Sequence, residues 1–284
     1  MVVARGNVSR LTDAWRTVRR FLPPAALRLL APAHRLIRRR HLRRMAEEDR
    51  LMGADDRTAI PPAALRFKVA GPGTIPQFLE GGEAMADSVE AALGGVGRSL
   101  AAGGDLLDFG CGCGRLLAAL ERRFPVLRVS GCDVDAEAVE WCRRRFPGME
   151  FRTNAEWPPC DFPPASFDLV WCGSVFTHID ERHQDAWLEE MRRLLRPDGL
   201  LLASVHGRRS WEKWPPFWGR RRLAREGFFF LRSGVDAGQH PDWYQVAWHT
   251  EAYVRRRWGR RFDVRSYLDG GLNGYQDLIV AVPR

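Results

Sequence analysis

The chain has 284 residues, 45% of them hydrophobic, which is enough to bury a large core and too many for a disordered chain. Its formal charge of +9 is uneven: residues 1–50 hold 13 arginines against four acidic residues, and the rest of the chain is balanced. A body without net charge speaks against nucleic acid as its partner, and no apolar run approaches the roughly 18 residues of a membrane span.

In chain order, residues 9–52 read as an amphipathic helical arm. Leu11, Trp15, Val18 and Leu22 recur at helical spacing beside Arg16, Arg19 and Arg20. Pro23 and Pro24 interrupt the pattern, which resumes through Leu27, Leu30, Leu36 and Ile37. The stripe either packs on the body or a partner, or lies peripherally on an anionic membrane. Packing is preferred, because the stripe is short and broken by proline. The same arginines interrupt anything resembling a secretory leader. The six cysteines then read as reduced thiols of a cytoplasmic protein.

Residues 53–76 form a Gly/Pro-rich connector, and a helix is predicted over 83–101. Beyond it strands and helices alternate. LLDF, LRVSGCD, MEFR, FDLVWCGSV and GLLLASVHG read as strands, with helical patterns or a proline-rich crossing between them. Residues 208–248 break the rhythm with WEKWPPFW, EGFFFLRSG and HPDWYQVAW; a helix and two last strands, FDVRSYL and YQDLIVAV, follow. The pattern predicts an α/β, doubly wound, mostly parallel seven-stranded sheet. A basic helical arm and connector (1–76) would precede the main domain (77–284). Within that domain, 208–248 forms an aromatic-rich insertion after the fifth strand.

LLDFGCGCGRLL, residues 106–117, sets a glycine loop between a strand and a helix, where backbone N–H groups face a ligand. Gly110, Gly112 and Gly114 give G-x-G-x-G, without the third glycine of the dinucleotide form and without the Gly-Lys-Ser/Thr of a P-loop. Asp133 ends the next strand about 20 residues on, where a carboxylate meets ribose hydroxyls. Cys111 and Cys113 lack a second Cys/His pair and are not a C-x-x-C, so neither a metal nor a redox site is predicted.

The run DFGCGCG followed by GCDVD resembles the class I S-adenosylmethionine-dependent methyltransferases, particularly bacterial ones of biosynthetic pathways. FDLVWCGSVFTHID resembles that family's fourth strand and following loop, and LLRPDGLLLASVHG its turn and fifth strand, with Asp198 where glycine is commoner. The resemblance covers roughly residues 70–284 and implies a Rossmann-like fold binding S-adenosylmethionine, with S-adenosylhomocysteine as product. It implies that Asp108 and the loop Gly110, Cys111, Gly112 and Gly114 hold the methionyl part, and that Asp133 and Val134 hold the ribose. Asn154 and Ala155 would meet the adenine edge, where the family usually has an acid; Cys172, Gly173 and Ser174 would line the adenosine.

Methyl transfer from a sulfonium is an in-line displacement that needs alignment and exclusion of water. A hydroxyl acceptor also profits from a general base. His178 and His206, at the ends of the fourth and fifth strands, are the candidates. His178, His240, Trp243 and Tyr244 are candidate acceptor contacts, and 208–248 reads either as a lid or acceptor-binding insertion or as a secondary core or dimer contact. The amino-methylating DNA and RNA enzymes carry Asn/Asp-Pro-Pro-aromatic after the fourth strand, where this chain has CGSVFTH, so nucleic acid is disfavoured. The expected activity is methylation of a small-molecule or saccharide-type acceptor at oxygen. N-methylation, or a non-catalytic membrane- or partner-binding scaffold, are the alternatives.

Overall fold

The computed structural model describes residues 26, 29, 31–53, 58–211, 216–232 and 241–284. The arm positions Leu11, Trp15, Arg16, Val18, Arg19, Arg20, Leu22, Pro23, Pro24, Leu27 and Leu30 lie outside them. Among the described residues three α-helices precede the sheet: α1 (Ala31–Arg50), α2 (Ala63–Ala70) and α3 (Ile75–Gly94). The second lies inside the stretch predicted to be a connector. The third starts eight residues before the predicted 83, because Thr74 and Gln77 form a capping box that opens the helix at Ile75. Gly82, which weakens a helical pattern in sequence, sits where a Cβ would fall 2.3 Å from the Arg115 carbonyl oxygen. It lets α3 approach the helix after the first strand.

The alternation follows as β1 (Gly104–Phe109), α4 (Arg115–Arg123), β2 (Leu127–Asp133), α5 (Ala136–Arg145), β3 (Glu150–Thr153), β4 (Phe167–Cys172), α6 (Glu181–Leu194) and β5 (Leu195–Val205). Then come α7 (Arg208–Trp211), α8 (Phe217–Glu226), β6 (Phe228–Leu231), β7 (Val246–His249), α9 (Glu251–Arg257), β8 (Phe262–Leu272) and β9 (Gln276–Pro283). One seven-stranded sheet has the order β3-β2-β1-β4-β5-β9-β8; β6 and β7 pair separately. β1 to β5 are parallel, and β9 runs against both β5 and β8. This is the doubly wound, mostly parallel α/β architecture.

Alternate residues of each central strand enter different cores. Leu106, Trp171, Leu202 and Val280 join the layer of α3, α4 and α5; Leu107, Cys172, Ala203 and Ile279 join that of α6 and α9. With both faces covered, the strands read as continuous apolar runs, and the ligand-facing positions lie at the sheet's C-terminal edge.

Candidate functional site

At that edge a cavity of 260 Å³ opens over the tips of β1, β2 and β4. Its wall includes Asp108, Gly110, Cys111, Gly112, Asp133, Val134, Asn154, Gly173, Ser174, His178, Trp243 and Tyr244.

The loop after β1 is drawn against β2, with the Gly110 and Cys111 N–H groups both donating to the Cys132 carbonyl at 2.8 and 3.0 Å. Its three glycines all have φ between +54° and +78°, a region costly to other residues. At Gly112 a Cβ would also lie 2.6 Å from Val69 Cγ2, so α2 packs directly on the loop. Asp133 fixes the loop from the other side. Its Oδ2 accepts from the Gly112 N–H and its Oδ1 from the Asp135 N–H, both at 2.8 Å. Asp135 itself caps α5, accepting from the Glu137 and Ala138 N–H groups.

Three oxygen acceptors face this end of the cavity. Asp108 is 3% exposed, and its carboxyl is pushed up to about 7 by burial and by the neighbouring Asp133 charge, against the pull of Arg115. Burial also pushes the Asp133 carboxyl up, opposed by its backbone donors. Asn154, placed after β3 by its N–H bond to the Asp133 carbonyl, turns its Nδ2 to the Ala155 carbonyl. Its Oδ1 is buried with no partner among the described residues. An acceptor buried without a donor is costly.

The opposite end is built from rings. Residues 243–249 lie alongside the segment that follows β4 and the end of β5. The Gln245 N–H donates to the His178 carbonyl at 2.6 Å, Ala247 to Thr177 at 2.8 Å, and His249 to His206 at 2.9 Å. That pairing stacks Tyr244 on the His178 ring, with centroids 5.0 Å apart. His178 Nδ1 lies 2.7 Å from the Gln245 carbonyl oxygen, which can only accept; Nδ1 therefore carries the proton, and the neutral ring's lone pair is on Nε2. Ser174 takes φ +61°, an uncommon value for a residue with a side chain. Its N–H bond to Ser204 Oγ at 2.8 Å and its hydroxyl's bond to the Gln276 amide hold it there.

The sequence reading did not foresee several wall residues: Leu65, Lys68 and Val69 of α2, Met85 of α3, and Val175, Ile179 and Trp187. The T-x-x-Q capping box signals α3, but nothing in the sequence signals that α2 faces the cavity. His183 was also unforeseen. It pairs with Asp180 at 2.7 Å and Glu156 at 3.1 Å, and its ring stacks between Trp157 and Trp243, so it supports Trp243.

Other predicted residues lie off the wall. Gly114 caps α4, and the Cys172 thiol packs on the Met191 sulfur within the core, because alternation turns it away from the site. Ala155 is reached through its carbonyl by Asn154. His206 is buried with Nδ1 3.1 Å from the Ala247 carbonyl, and its ring centroid is 6.1 Å from that of His178. His240 is outside the described residues. Nearby His249 stays neutral, since burial lowers its pKa to about 3.

Residues 106–199 match the family described as methyltransferase domain. Among similar curated proteins, trans-aconitate 2-methyltransferase of Rhodopseudomonas palustris is 35% identical over 103 residues, covering 34% of this chain and 37% of the relative. Methyltransferase GfsG of Streptomyces halstedii is 32% identical over 135 residues, 46% of each chain. Ribosomal RNA small subunit methyltransferase C of Pseudomonas aeruginosa is 63% identical over 119 residues, 40% of this chain and 35% of the relative. The chain spans less than half the length of each of these relatives.

Proposed function

We propose, from the premise that residues 106–199 belong to the methyltransferase-domain family, that the protein transfers a methyl group from S-adenosylmethionine to a small-molecule or saccharide-type acceptor, at oxygen. One observation carries this reading. Asp108, Asp133 and Asn154, at the tips of three adjacent parallel strands, present oxygen acceptors to a single cavity. S-adenosylmethionine carries donors in matching succession: an ammonium, a ribose diol and the adenine amino group.

The residues fit that cofactor. Asp108 would meet the ammonium, whose charge would favour its ionised form. The Asp133 oxygens keep lone pairs beyond their two backbone donors and would accept from the diol, while Asn154 Oδ1 would gain the donor it lacks. Gly110, Cys111, Gly112 and Val134 would wall the methionyl and ribose parts, with Gly173 and Ser174 beside the adenosine. When bound, the cofactor supplies an electrophilic methyl carbon.

This chain's own work is then alignment and proton removal. Trp243, Tyr244, Val175, Ile179 and Trp187 exclude water and present flat apolar faces to an acceptor. His178 Nε2 takes the acceptor's proton, with Nδ1–H anchored on the Gln245 carbonyl and Tyr244 stacked behind the ring. Among the described wall residues the cationic side chains are Lys68 and Arg115, which flank the glycine loop. The aromatic end therefore suits an uncharged hydroxyl compound better than a carboxylate. His240, and residues 208–248 as a lid, extend this reading to the acceptor side.

The test is an acceptor screen with radiolabelled S-adenosylmethionine, using neutral phenols, sugars, carboxylates, amines and ribosomal RNA. Methylation of neutral hydroxyl compounds supports the reading. Activity confined to amines or RNA would replace the acceptor while keeping the cofactor, and binding without turnover on any class would favour the scaffold alternative.

A further inference from the structure

We propose that the outward face of α1 docks on an anionic lipid surface. The helix has two faces. One is tied to the body: His41 and Met45 are buried, the Arg38 guanidinium lies over the Phe67 ring, and Asp49 pairs with the buried Arg66 at 2.8 Å. Glu48 adds a bond from the Ile75 N–H at 3.1 Å. The acidic residues of α1 are the three consecutive ones at its C-terminal end, Glu47, Glu48 and Asp49.

Among the described residues the opposite face has no such ties. Leu29, Ala33 and Leu36 recur there at helical spacing, and Arg40 and Arg43 continue the row. Leu29 is 81% exposed and Leu36 53%. Arg35, Arg39, Arg40, Arg43 and Arg44 are all exposed and form no ion pair among the described residues. Elsewhere on the surface many arginines are paired, as with Arg192 to Glu189, Arg222 to Glu226 and Arg255 to Glu251, and the exposed ones without an ion pair among the described residues, such as Arg98 and Arg260, are scattered rather than clustered.

The charge asymmetry thus has a structural form: Leu29, Ala33 and Leu36 flanked by guanidinium groups that form no ion pair among the described residues. An anionic bilayer fits both parts, because its headgroups take the arginines and its acyl boundary takes the leucines. A phosphate backbone would use the arginines and leave the leucines in water. No described helix is long and apolar enough to cross a membrane, so the contact is a peripheral one. α1 packs on α2, and Leu65, Lys68 and Val69 of α2 line the cavity, so docking would bring lipid one helix away from the site.

The experiment is flotation of the full chain with phosphatidylcholine vesicles, with and without phosphatidylglycerol, beside a duplex RNA binding assay. Flotation is expected only with phosphatidylglycerol and is expected to weaken as salt is raised. The triple variant Arg39→Glu/Arg40→Glu/Arg43→Glu should lose about 100-fold in partitioning. Leu36→Ser should lose about tenfold on vesicles and leave RNA binding unchanged. These side chains are exposed, so the unfolding midpoint should not move; if it moves in the triple variant, Leu36→Ser alone decides. Equal binding to neutral vesicles, or full binding by the triple variant with its fold intact, would overturn the proposal. So would vesicle binding indifferent to Leu36→Ser beside comparable binding to RNA.

Discussion

At one end of the cavity the inward-facing groups are carboxylates, an amide and backbone N–H groups at the tips of β1, β2 and β3; at the other they are the rings of Trp243 and Tyr244 and, in the segment after β4, of His178. The first end is set by local chain geometry, since each acceptor sits at the end of its strand or just beyond it. The second is assembled by pairing residues more than 60 positions apart, as in the bond from the Gln245 N–H to the His178 carbonyl. On the proposed reading the first end is the cofactor pocket and the second the acceptor wall, built by different kinds of contact.

The largest expected effect separates the two ends. His178→Ala should lower kcat about 10²–10⁴-fold with a hydroxyl acceptor, the usual scale for a lost general base, and leave S-adenosylhomocysteine affinity unchanged. Initial rates and calorimetry on the same variant check both halves, and an equal loss of cofactor affinity would break the comparison.

Asp108→Asn probes the polar end through its cost to the fold. The carboxyl is held at about 7 against an ordinary 3.8, so folding favours its protonated form. Below pH 3.8 it is neutral folded or unfolded; its contribution turns unfavourable as pH rises toward 7. The neutral amide should therefore stabilise the ligand-free protein by about 2–4 kcal/mol at pH 8 and make no difference near pH 3. Unfolding curves at the two pH values test the sign. The same variant should bind S-adenosylmethionine more weakly.

Asp133→Ala should weaken cofactor binding by about 1.5–3 kcal/mol, the scale of a lost charged hydrogen bond, as read by calorimetric titration. Cys113→Ser is the smallest expected change. The thiol is buried and held up near 12 by that burial, and it is not part of the cavity wall. Affinity should shift by less than about twofold, while thermal stability falls by about 1 kcal/mol because a hydroxyl enters an apolar site.

The sheet was legible in the sequence because each central strand is buried on both faces and reads as an apolar run between helical patterns. LRVSGCD spans the observed β2 residue for residue. Asp108, Gly112 and Asp133 were legible for the related reason that a strand, a tight loop and the next strand's end lie within 30 positions. α2 was not: eight residues between Pro62 and Gly71 read as a connector, and the contact of Val69 with Gly112 depends on tertiary packing. The pairing of 243–249 was equally hidden, since aromatic density at Trp243 and Tyr244 marks a wall but not the strand that receives it. Nor does the sequence separate His178 from His206. The fold does so by position, since His178 lines the cavity while His206 is buried off its wall.

The most direct test of the account is calorimetric titration of the unmodified protein with S-adenosylmethionine, S-adenosylhomocysteine and NADH. Saturable binding of both sulfur nucleosides, with no heat from NADH, is the predicted result. Binding of NADH, or of none of the three, would contradict it.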